Sequence, residues 1–125
     1  MKKVALVLMS MTLVGCGAGG GEGREEPDGA ALFASPVLGD RPGCVTCHSR
    51  EPDRVLVGPS LAGLAGVAAT RVPGLSAEEY LRESIIDPDA FVVPGFGAGR
   101  MPSVWSEVLT GAEIEALVDY LETLR

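Results

Sequence analysis

Cys44-Val45-Thr46-Cys47-His48 is the stretch on which the reading of this chain turns. Two thiols stand one helical turn apart and an imidazole follows directly. Three chemistries use a C-x-x-C spacing: a zinc half-site, a thiol–disulfide redox pair and covalent capture of a haem. Zinc needs further ligands, but the chain has one histidine and three cysteines. The third cysteine, Cys16, belongs to an N-terminal signal described below. A thioredoxin-type pair needs a βαβ pattern, and none is visible. The histidine decides for haem. Two thiols add across the two vinyl groups of the macrocycle, and His48 then lies under the ring with a nitrogen for iron.

Outward from the motif, three helices are legible. Asp28 can cap a helix over Gly29–Ser35, which Pro36 ends. Ser76 and Glu79 form a capping box ahead of a second helix, with Ala77, Leu81 and Ile85 on one face and Asp87-Pro88 as its stop. Thr110 and Glu113 form another, ahead of Ile114, Leu117, Val118 and Leu121 at i, i+3, i+4 and i+7. Gly and Pro total 26 of 125 residues, which favours short helices joined by long loops. The path of Ser35–Gly43 is not set by any of these signals.

Gly58-Pro59-Ser60-Leu61 follows the haem motif, and Met101-Pro102 sits in a Gly-rich loop ahead of the last helix. With these segments, Asp28–Arg125 resembles a class I cytochrome c. The resemblance implies an all-α fold of three main helices with loops wrapped around one covalent haem c. It implies attachment through Cys44 and Cys47, and axial iron ligation by His48 and Met101. It also implies that the Pro59 carbonyl accepts the proton on the far nitrogen of His48, fixing the ring and raising its basicity. The other methionines, Met1, Met9 and Met11, all lie in the signal. Gly29 and Phe33 match the family's first helix, where glycine lets the last helix approach, and Tyr120 matches the aromatic that packs against it. Tyr80, Arg100 and Trp105 are either haem-propionate donors or ordinary packed and solvated residues. The segment Tyr80–Val93 is similar to the haem domains fused to, or serving, bacterial haem-copper terminal oxidases.

Met1–Gly15 reads as an export signal: Lys2 and Lys3, then a short apolar run, too short to span a bilayer. Leu13-Val14-Gly15-Cys16 resembles the bacterial lipobox. That implies cleavage before Cys16 and its lipidation, and so anchorage on the outer side of a membrane, facing the periplasm or the cell exterior. Residues 16–27, Gly-rich and charged, then form a flexible tether, and 28–125 the haem domain.

The formal charge is −7, and removal of residues 1–15 leaves 8 basic against 17 acidic residues. Such a surface excludes nucleic acid as a partner. No paired carboxylates or nucleophile–base arrangement suggests catalysis. The expected role is single-electron transfer between redox proteins, a terminal oxidase or other respiratory complexes, with no small-molecule substrate. Two alternatives stay open: an electron-transfer subunit of a larger dehydrogenase or reductase, and a haem sensor or peroxidase-like protein if Met101 binds iron weakly.

Overall fold

The computed structural model describes residues 25–125. The signal, Cys16 and the tether as far as residue 24 lie outside the described residues. Six helices and one small hairpin are present among them: α1 Gly29–Ala34, β1 Val37–Leu38, β2 Arg41–Pro42, α2 Cys44–Cys47, α3 Leu64–Arg71, α4 Ala77–Ile86, α5 Trp105–Val108 and α6 Gly111–Leu121. The fold is all-α, and α1, α4 and α6 are the three helices legible in the sequence.

Their ends are set by side chains. Asp28 Oδ1 accepts from the amides of Ala30 (2.9 Å) and Ala31 (3.1 Å). Both capping boxes close reciprocally, Ser76 with Glu79 and Thr110 with Glu113. Each such cap is worth about 0.5–2 kcal/mol, so α4 and α6 are well started before any packing.

Packing fixes the rest. Ile114, Leu117, Val118 and Leu121 of α6 are buried, together with Phe33 of α1 and Leu81 and Ile85 of α4. Burial of each large apolar side chain contributes about 1.5–3 kcal/mol. The α1–α6 crossing depends on Gly29: a Cβ there would overlap the backbone carbonyl of Ala116. Phe33 and Tyr120 meet across the same junction with ring centroids 5.6 Å apart. Arg82 of α4 pairs with Glu78 at 2.7 Å and with Glu115 of α6, tying the two helices on the solvent side.

Three helices carry no strong sequence signal. α2 is a single turn on the haem motif and α5 a single turn after the Met101 loop. α3, Leu64–Arg71, is rich in Ala and Gly; it packs on α4, and its Ala65 N donates to Leu124 O at 3.0 Å. Ser35–Gly43 forms the antiparallel hairpin, pairing Val37 with Pro42 and Leu38 with Arg41. Gly39 turns it at φ +60°. The hairpin folds back so that Gly43 N donates to Pro36 O at 2.9 Å, which delivers the chain to Cys44 beside α1.

Candidate haem site

The hairpin and the first turn of α2 place both thiols on one side of a cavity. Cys44 and Cys47 are the two ends of a one-turn helix, half-buried and not joined in a disulfide. Thr46 steadies that turn by donating to Gly43 O at 2.6 Å. Burial raises the Cys44 thiol pKa, so it sits in the neutral form there.

His48 leaves the helix in extended conformation and turns its ring back into the cavity. Its Nδ1 lies 2.9 Å from the Pro59 carbonyl oxygen. A carbonyl can only accept, so Nδ1 carries the proton and Nε2 keeps its lone pair. Burial holds the imidazole pKa below its usual value, against the opposing pull of the Pro59 carbonyl. A neutral ring with a free Nε2 lone pair is the form that binds a metal. The loop from Ser49 to Leu61 supports this arrangement. Gly58 N donates to Cys47 O at 2.9 Å and Leu61 N to Ser49 O at 2.8 Å. Gly58 approaches the ring so closely that a Cβ would lie 2.5 Å from His48 Cε1.

The cavity has a volume of about 320 Å³, within the range of roughly 300–1,000 Å³ found for cofactor-sized sites. Cys44, Cys47, His48, Pro59 and Met101 all line it. The five residues singled out in the sequence for the haem, from three separate stretches of the chain, are therefore brought to one place. The rest of its wall is mostly apolar, from Leu64, Leu81, Ile85 and Leu117 among others. Cys16 lies outside the described residues. No group of three or more His, Cys, Asp or Glu donors that could hold a metal ion is present among the described residues. The donor set is thus a thiol pair, one imidazole and one thioether.

The family model for cytochrome c matches residues 27–125. The chain belongs to the cytochrome c family. No curated protein matches it significantly. The cytochrome c family binds haem c covalently, and the chain is an electron-transfer haem protein of all-α fold.

One buried atom tests whether the cavity suits that group. Trp105 is 3% exposed and lines the cavity, yet its indole Nε1–H is buried with no hydrogen-bond partner among the described residues. A buried indole N–H ordinarily has an acceptor. Haem brings two carboxylates, and an apolar cavity with one unmet donor fits a flat apolar ring with acidic edges. Tyr80 and Arg100 line the same cavity, Tyr80 with its ring edge-on to Phe91 at 5.9 Å.

A further contact, beside the haem motif, had no signal in the sequence. Arg50, two residues after His48, donates from Nη1 to the Tyr120 hydroxyl at 2.7 Å, and its guanidinium carbon stands 5.6 Å from the Phe33 ring centroid. It ties the haem-motif loop to the α1–α6 junction. Only the three-dimensional meeting of positions 70 residues apart could reveal it.

Proposed function

We propose that this cytochrome c is a lipid-anchored carrier of single electrons in a bacterial respiratory chain, delivering them to a terminal oxidase or between respiratory complexes. In this reading Cys44 and Cys47 would hold the haem, His48 and Met101 would ligate its iron, and Pro59 orients His48. The carrying observation is that an imidazole with a fixed tautomer and a thioether line one apolar cavity with both thiols. Bound haem supplies the redox couple; the chain excludes water from it, and the soft thioether favours the ferrous form. With His48 and Met101 both given to the iron, the haem would offer no coordination position to a substrate.

Electron exchange needs an approachable edge. Val57, Phe96, Gly97 and Arg100 line both the haem cavity and an adjoining surface hollow of about 570 Å³. Beside it Val55, Leu56 and Val57 are 60%, 40% and 50% exposed. Contiguous exposed apolar residues mark contact surfaces, and here they lie next to the redox group. The same surface supports the second reading, a permanent subunit of a larger dehydrogenase or reductase; co-purification from membranes separates the two. No helix among the described residues is long and apolar enough to cross a membrane. In this reading the attachment comes from a lipidated Cys16 followed by the 16–27 tether.

Ligation by Met101 is tested by spectroscopy. The ferric protein should show the weak far-red sulfur-to-iron charge-transfer band, and Met101→Ala should lose it and gain carbon monoxide binding. Wild type that lacks the band and binds carbon monoxide fully would replace the carrier with a sensor or peroxidase-like protein.

A further inference from the structure

The segment Ala90–Ser103, which carries Met101, is poorly tied to the rest of the fold. Among the described residues it makes three hydrogen bonds. Ala90 N donates to Asp87 O at 3.0 Å, which only continues the stop of α4. Phe96 N donates to Val93 O at 3.1 Å, a turn within the segment. The third alone crosses the loop: Gly99 N donates to the Asp89 carboxylate, Oδ1, at 2.8 Å.

Its placement matters. Asp89 follows the Asp87-Pro88 stop directly, so it projects from a rigid helix end. Phe91, packed edge-on against Tyr80, pins the near end of the segment. Gly99 stands at φ +70°, with open space around its α-carbon. That left-handed geometry belongs to glycine and aims the amide at Asp89. Met101 is two residues further on. Without this bond, no hydrogen bond holds the segment between the Val93–Phe96 turn and Val104, and Met101, packed on the core, sits near the end of a long, Gly-rich loop. Closing such a loop at Gly99 removes most of the conformational freedom that would otherwise oppose ligation.

We propose that Asp89 is a positioning residue for Met101: its carboxylate, by accepting from the Gly99 amide, latches the loop that presents the thioether to the haem iron. The proposal rests on Met101 being the axial ligand. Asp89 lines the same cavity as Met101, but its one side-chain hydrogen bond among the described residues goes to the Gly99 amide, so it acts on the thioether through the loop. The latch shifts the balance between thioether-bound and thioether-free iron. A hydrogen bond to a charged acceptor, discounted for its exposure, corresponds to about a tenfold shift in that balance.

The test uses the full haem-loaded protein in its ferric form, titrated with imidazole, which must displace the thioether to bind. Asp89→Ala should bind imidazole about tenfold more tightly than wild type, because apparent affinity scales with the thioether-free fraction. Asp89→Asn keeps a neutral carbonyl oxygen at the same place and should fall between wild type and Asp89→Ala. In a Met101→Ala background, Asp89→Ala should change nothing, since no thioether is left to displace. In denaturant unfolding Asp89→Ala should lose no more stability than the same tenfold factor, about 1.4 kcal/mol; a larger loss would mean a loosened fold and would overturn the latch. Unchanged imidazole affinity in Asp89→Ala overturns the latch alone. So does an effect of equal size in the Met101→Ala background. Equal affinity of wild type and Met101→Ala overturns Met101 ligation, and the latch with it.

Discussion

Nδ1 of His48 donates to the carbonyl oxygen of Pro59 at 2.9 Å, and Gly58, the residue before that carbonyl, leaves no room for a side chain against the same ring. A Cβ at position 58 would meet Cε1, Nδ1 and Nε2 of His48 at 2.5, 2.9 and 3.0 Å. The backbone there is not left-handed, so the constraint is steric alone. Gly58→Ala must push the imidazole or the loop aside and lengthen the Pro59 bond. Overpacking of this kind costs about 1–3 kcal/mol. The expected outcome is a lower denaturation midpoint and a shifted reduction potential, read by chemical unfolding and by potentiometry. An unchanged potential would mean the ring sits elsewhere in the loaded protein.

Attachment through two thioethers predicts that haem stays with the polypeptide after acid–acetone extraction. Cys44→Ala and Cys47→Ala should each keep one bond, and the double variant should release its haem into the solvent. Haem extracted from the wild type would remove both cysteines from the site.

The anchor is tested at Cys16. Wild type should partition with membranes, and Cys16→Ser should appear in the soluble fraction with an unaltered haem spectrum. Mass spectrometry of the mature wild type should find a lipid-modified N-terminal Cys16. A mature chain starting further on, without lipid, would rule the anchor out.

Arg50 bridges the haem-motif loop to Phe33 and Tyr120. Tyr120→Phe removes one hydrogen bond, a loss of about 0.5–1.5 kcal/mol. Arg50→Ala removes that bond and the cation–π contact, together about 1–3 kcal/mol. Because the two residues share one contact, the double variant should lose less than the sum of the single losses. Additive losses in denaturant unfolding would show that the pair is not coupled.

Glu113 gives a pH dependence of known sign. The Thr110 backbone amide and hydroxyl hold its carboxyl below the usual range. A folded-state pKa below the unfolded one adds stability above the unfolded pKa, and that stability is lost as pH falls through the folded value. Glu113→Gln should therefore be less stable than wild type at neutral pH, and the two should converge in acid. Melting temperatures across that range check it; a gap that persists at low pH would mean the carboxylate charge is not what caps α6.

Sequence alone determined the parts of this protein that are governed by local rules. The capping residues Asp28, Ser76 with Glu79, and Thr110 with Glu113 each satisfy amides within three residues, so α1, α4 and α6 could be read without knowing what they pack on. The haem motif is local too, since its chemistry needs only one helical turn. Tertiary structure decided the rest. α3 has no cap and a weak apolar stripe, and it is a helix because α4 and the Leu124 carbonyl receive it. The hairpin over Val37–Pro42 turns on one left-handed glycine and on the docking of Gly43 against Ser35–Pro36. Arg50 on Tyr120 and Asp89 on Gly99 join residues by position in space, and the burial of the Trp105 N–H is set by the fold in the same way. No periodicity or spacing encodes such contacts, because the free energy that forms them comes from burying α1, α4 and α6 together around one cavity.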